Sequence, residues 1–220
     1  IGNSSQKISI IPNWADVDLI KPSLKKENKL LRDLGLNNKF IINLAGNMGF
    51  AQGIENLIKA VELLKEQNDI HFLFIGSGAK KEWIQNEIFN KNLKNITLIN
   101  HLPRSEQENF LNACDVGLIS LLHGMTGVGV PSRLYNIMSA GKPIIVITGP
   151  KSESEFVIKE ENIGWFVEAG KPQKLVDTII EAKSDTDALY EMGMKARLVA
   201  EEKYSRQKII EKYCMLIKDI

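Results

Sequence analysis

An α/β fold with a Rossmann-like, doubly wound parallel sheet is predicted by three observations. Apolar strand-like runs alternate with amphipathic helix-like runs along nearly the whole chain, which is the signature of βαβ units. Two glycine-rich stretches, at residues 46–53 and 124–131, each follow a strand-like run and precede a helix-like one. Both therefore belong at the carboxyl edge of the sheet, where open α/β sheets bind ligands. Finally, the 220 residues are 44% hydrophobic and 25% charged, enough for one full core and without the bias of a disordered or fibrous chain.

Taken in order, the first strand is expected at residues 40–45, followed by the loop GNMGFAQG and a helix at 54–66. Strands at 71–75 and 96–99 lead into helices at 80–91 and 105–113, the second with Ser105 and Glu108 at capping-box spacing. A strand at 116–121 then runs into GMTGVGVPSRLYNIMSAGKPIIVI, residues 124–147. In it Gly124, Gly127 and Gly129 let backbone amides approach a ligand, and Pro131 presets a helical φ. Ser132 and Arg133 open a helix at 132–140, which Gly141-Lys142-Pro143 stops before a strand at 143–148. A helix at 152–160, a short strand at 164–167 and a helix at 172–182 complete the alternation. Two extra helices at 185–203 and 205–217 are expected to cover a sheet edge or a neighbouring domain, and residues 21–28 read as a solvated helix start.

Composition narrows the function classes. A formal net charge of +1, with no basic stripe, argues against a nucleic-acid partner. Cys114 and Cys214 lack metal-ligand spacing, and Cys114 reads as a small buried residue. His71, His101 and His123 are scattered and no nucleophile elbow is present, so neither a metal nor a cofactor is expected. The pairs Glu160-Glu161 and Glu201-Glu202 read as solvated helix faces. No apolar run approaches the ~18 residues that a membrane span needs, so a soluble, cytoplasmic protein is expected. The chain starts at Ile1 without methionine, and a segment of a longer protein is the reading that follows.

The chemistry rests on the loops. Unpaired N–H groups and the positive end of a helix dipole favour phosphate, so two glycine loops facing one crevice would grip a diphosphate. A dinucleotide-binding dehydrogenase is disfavoured, because glycines at 46, 49 and 53 do not make GxGxxG and Gly76-Ser77-Gly78 stands where an acidic residue is wanted. A third loop, Asn100 to Ser105, carries Leu102 and Arg104 after the third strand. It reads either as a capped turn or as a place where the Leu102 backbone meets a base.

These residues resemble the carboxyl-terminal, nucleotide-sugar-binding domain of a GT-B glycosyltransferase, similar to the family 4-like retaining bacterial enzymes that make surface polysaccharides. Ile11-Pro12-Asn13-Trp14-Ala15-Asp16 resembles the interdomain signature, Gly46 to Gly53 the first phosphate loop, and Pro131-Ser132-Arg133-Leu134-Tyr135-Asn136 with Ala140-Gly141-Lys142-Pro143 the donor-site helix. The form with PSR is similar to transferases of amino sugars and deoxy sugars. The resemblance implies a linker remnant at 1–20, a donor domain at 21–203, and a terminal helix at 204–220 that packs on an absent amino-terminal acceptor domain.

It further implies that Gly46, Asn47, Met48, Gly49, Gln52, Ser132 and Arg133 bind the donor diphosphate and Asn136 the ribose. Leu102 and Arg104 would meet the base, and Gly129, Val130 and Pro131 the donor sugar, with a UDP-sugar favoured. Catalytic acceptor-side residues are expected in the absent domain, and any membrane contact would come through that domain at the inner membrane face. The isolated chain is then expected to be inactive. Two departures stand out: Asn47 and Gln52 are uncharged where the family often has Arg and Lys, and Val128 and Asn136 replace its two glutamates. A GT-B nucleotide-sugar epimerase and a non-catalytic donor-binding subunit of a two-chain transferase are the alternatives.

Overall fold

The computed structural model describes residues 9–125 and 127–218. Its strands are β1 (Phe40–Asn47), β2 (Ile70–Ser77), β3 (Ile96–Ile99), β4 (Val116–Ser120), β5 (Ile144–Thr148) and β6 (Gly164–Glu168). They form one parallel sheet in the order β3-β2-β1-β4-β5-β6. The helices are α1 (Lys29–Asp33), α2 (Ile54–Leu63), α3 (Lys81–Asn90), α4 (Gln107–Asn112) and α5 (Arg133–Ser139), then α6 (Glu153–Glu161), α7 (Pro172–Ser184), α8 (Thr186–Lys203) and α9 (Arg206–Lys218). The strand order reverses between β1 and β4, and the crevice outside the carboxyl ends of the strands at such a reversal is where ligands sit.

Both faces of the sheet are covered, which is why β4 and β5 are buried at every position and apolar up to their last residues, Ser120 and Thr148. Ile42, Leu44, Phe72 and Phe74 join α2 and α7 in the largest apolar cluster. Ile144 and Val146 join α5, α6 and α8 in a second. Burying a Leu, Ile or Phe side chain contributes about 1.5–3 kcal/mol, so these clusters anchor every strand end from which the site loops leave.

Several expectations are corrected by packing. The stretch 21–28 is mostly exposed and leads into α1 as expected, but only Lys25–Glu27 of it are helical, as a single 3-10 turn, and its last residue is the buried N-cap Asn28. Its Oδ1 accepts from the Leu31 N–H at 3.1 Å and its Nδ2 donates to the Asn109 carbonyl at 2.8 Å. Ser105 and Glu108 make no capping box, because Ser105 falls inside the 3-10 turn Arg104–Glu106 and α4 begins only at Gln107. Glu161 is buried rather than solvated, and its two oxygens accept from Lys203 Nζ at 2.7 and 2.8 Å. Cys114 is buried as expected, and burial pushes its thiol up to about 12.

Ala15 and Ile20 lie in the core although the linker was expected to extend to residue 20. The Ala15 N–H donates to the Tyr204 carbonyl at 2.6 Å, and Arg197 donates to the carbonyls of Val17, Ile20 and Ser139. The stretch after residue 14 is thus fastened to α8; residues 1–8 lie outside the described residues. Along α9, Ile209 is buried while Ile210, Tyr213, Met215 and Ile217 are exposed. Among the described residues, no helix is long and apolar enough to cross a membrane.

Candidate functional site

The turns after β1 and β4 meet at the reversal of strand order. Ser120 Oγ donates to the Gln52 carbonyl at 2.6 Å, and the Leu122 N–H donates to the Ala51 carbonyl at 2.8 Å. Gly46 sits at φ +128°, and a Cβ there would overlap the guanidinium of Arg133. Glycine is therefore needed twice over, for backbone conformation and for room. Gly76 on the neighbouring strand has the same constraint, since a Cβ would run into the Gly46 carbonyl.

Arg133 is the electrostatic centre of the site. It is half-buried and has no hydrogen bond or ion pair among the described residues. Burial pushes its guanidinium down to about 10, so it is charged at neutral pH. A half-buried cation without a counter-ion is costly unless an anion arrives. The N–H groups of Ser132 and Arg133 also donate to nothing among the described residues, and the Ser132 side chain makes no cap bond.

Around Arg133 lies a cavity of about 290 Å³ walled by Ala45, Gly46, Ile75, Leu102, Phe110 and Asn136. It adjoins a second hollow of about 380 Å³, reached by Asn13, Trp14 and Asp16. Arg104, Gln107, Ser132 and Asn136 line both. The Ile11 to Asp16 stretch thus comes to the mouth of the same crevice. Arg104 is largely exposed and pairs with Asp16 at 3.1 Å, a contact worth little in solvent.

Six of the expected site residues are brought together: Gly46, Leu102, Arg104, Ser132, Arg133 and Asn136. Met48 requires a correction. Its side chain is fully buried in the core, its N–H donates to the Ser77 carbonyl at 2.7 Å, and its carbonyl accepts from Lys80. Tied to β2 in this way, it has no amide to offer an anion. The Gly49 N–H is engaged by Gln52 Oε1 at 3.0 Å, and Asn47 is exposed at the end of β1. Gly129 and Val130 line a different hollow, shared with Thr148 and the start of α6, and Pro131 follows them in the chain just before Ser132.

Gln107, which lines both cavities, is not among the residues expected from the sequence. It follows Arg104 by one turn, and side chains three apart share a helical face, so that spacing was the available signal. Phe110, another turn on, had the same signal and closes the apolar side of the cavity. Among the described residues, no group of three or more His, Cys, Asp or Glu side chains is placed to hold a metal ion.

The sequence pattern of the family described as "Glycosyl transferases group 1" matches residues 26–199, most of the chain. This chain belongs to that family. Its fold is one Rossmann-like half of a GT-B glycosyltransferase. Over 221 aligned positions the chain is 30% identical to a probable glycosyltransferase, WbjE, of Pseudomonas aeruginosa, covering 99% of this chain and 54% of that protein. It is 27% identical to the UDP-Gal:alpha-D-GlcNAc-diphosphoundecaprenol alpha-1,3-galactosyltransferase of Escherichia coli, covering 81% of this chain and 46% of that one. The group 1 chain thus spans about half the length of these relatives. Among solved structures, Anabaena Alr3699/HepE in complex with UDP-glucose superposes with a TM-score of 0.81 over 96% of this chain and 57% of its own, at 17% identity. That likeness speaks for the fold.

Proposed function

We propose that this chain is the donor-binding domain of a glycosyltransferase that uses a nucleoside diphosphate sugar, UDP-linked by preference. The observation that carries it is the unpaired Arg133 guanidinium lying against Gly46 at the sheet's reversal point. In this reading the guanidinium and the N–H groups of Ser132 and Arg133 hold the diphosphate, and the missing Cβ of Gly46 leaves room for the guanidinium. Asn47, Gly49 and Gln52 form the back of that site, with Gly49 able to donate once Gln52 releases it. Asn136 bonds the ribose hydroxyls, as an amide that both donates and accepts. Leu102 meets the base through its backbone, beside the apolar wall of Ile75 and Phe110. Arg104 stays with Asp16 at the rim, and the donor sugar extends toward Gly129, Val130 and Pro131.

Catalysis then consists of positioning the donor and stabilising the departing diphosphate, where one well-aimed donor group is worth about 3 kcal/mol. Transfer proceeds with retention to a polysaccharide or lipid-linked acceptor held by a second domain, at the cytoplasmic face of the membrane. By itself the chain binds donor and does not transfer sugar. Structural neighbours crystallised with UDP-glucose or UDP and a relative that is a UDP-Gal galactosyltransferase support the choice of base. Calorimetric titration of UDP, GDP and ADP tests it, with UDP expected to bind most tightly. Arg133→Ala and Asn136→Ala should each weaken it, and a folded pair of variants with unchanged affinity would refute the site.

A further inference from the structure

The hollow beside Gly129 and Val130 has polar walls that the diphosphate site does not use. It measures about 340 Å³ and is lined by Met125, Thr148, Lys151, Ser152, Ser154 and Phe156, among others. Thr148, the last residue of β5, is fully buried and its Oγ1 has no hydrogen-bond partner. An unpaired buried hydroxyl costs about 1–3 kcal/mol, which a hydrogen bond to a ligand in the hollow would offset. Ser154, 2% exposed in the first turn of α6, has no side-chain partner among the described residues either. The N–H groups of Glu153 and Ser154, in the first turn of α6, have no partner among the described residues either, while Ser152 Oγ accepts from the Glu155 N–H at 3.2 Å.

This hollow begins near the diphosphate site. Val130 lines one cavity and Ser132 the other, and two residues of extended chain reach no more than about 7 Å. That is the scale on which a sugar hangs from its diphosphate. The polar groups offered are mainly donors: two amides, two hydroxyls and the exposed Lys151. Glu153 sits among them as a carboxylate, and it opposes a second full negative charge. A neutral ring with oxygen acceptors suits the site, with Met125, Val130 and Phe156 facing its apolar side.

We propose that this hollow is the specificity pocket for the donor sugar, with Thr148 and Ser154 as the residues that read its oxygens. The proposal rests on the donor-binding reading above and extends it from Gly129 to β5 and α6. Calorimetry of UDP, UDP-glucose, UDP-galactose and UDP-N-acetylglucosamine against the 220-residue chain tests both at once. At least one UDP-sugar should bind more tightly than UDP. Thr148→Val and Ser154→Ala should each weaken that sugar by about three- to tenfold while leaving UDP within twofold, and Thr148→Ser should restore it. Valine removes an unpaired hydroxyl at nearly constant shape, so the melting temperature of Thr148→Val should hold or rise.

If UDP binds normally and no UDP-sugar exceeds it, or if the better sugar ignores both variants, the pocket is wrong and the diphosphate site stands. If UDP itself fails to bind the wild-type chain, the donor reading falls and the pocket with it.

Discussion

The turn after β1 has its Met48 and Gly49 N–H groups engaged by other protein groups, whereas the turn after β4 leaves those of Ser132 and Arg133 open. In the first, the Met48 N–H is held by Ser77, the Gly49 N–H by Gln52, and the Gln52 carbonyl by Ser120. In the second, the Ser132 and Arg133 N–H groups and the Arg133 guanidinium have no protein partner among the described residues. Both carry glycines at the same sheet edge, yet one is a shaped wall and the other presents charge. Glycine content marks where a backbone can approach a ligand; whether its amides are free depends on what the neighbouring strands take.

The largest expected effect comes from joining the two turns by force. Gly46→Ala puts a side chain at φ +128° and into the space of the Arg133 guanidinium. A loss of about 1–3 kcal/mol of stability follows from the backbone strain, with UDP affinity falling at least as far as in Arg133→Ala; thermal melting and calorimetry read the two. Arg133→Ala alone should cost about 1.5–3 kcal/mol of UDP binding, the range for hydrogen bonds to charged groups. Its stability should be unchanged or higher, because an unpaired half-buried charge is removed. A large loss of stability would mean that Arg133 is structural.

A smaller effect tests the scaffold under the first turn. His71 in β2 is buried beside Thr97, with 2.8 Å between His71 Nε2 and Thr97 Oγ1, and burial pushes its imidazole from 6.5 to about 4. The unfolded chain therefore binds this proton more readily than the folded one. Stability from this residue is complete above about pH 6.5 and declines as pH falls toward 4. Denaturant melts across that window should show the decline in the wild-type chain, and His71→Gln should flatten it. The smallest effect belongs to Gln52→Ala, which frees the Gly49 N–H. A change in UDP affinity below about 1 kcal/mol is expected, and a loss comparable to that of Arg133→Ala would move the anion site to the first turn.

The alternation of apolar runs made the sheet legible because strands buried on both faces leave an unbroken apolar signature, as in Ile144 to Ile147. Gly46, Ser132, Arg133 and Asn136 were legible for a similar reason, being local to a strand-loop-helix run. Met48 was misread because its amide is tied across the sheet to Ser77, and such pairing leaves no trace in neighbouring residues. Thr148 and Ser154 were not singled out because their unpaired state depends on packing, which spacing does not encode. Glu161 likewise looked solvated beside Glu160 until α8 brought Lys203 against it.

The contrast between the two turns is tested most directly by following backbone amide resonances during a UDP titration. The largest shifts should fall at Ser132 and Arg133, with Met48 nearly unmoved. Shifts of equal size at Met48, or a response centred on the cavity of Lys142 and Tyr190 at the opposite edge of the sheet, would contradict the account.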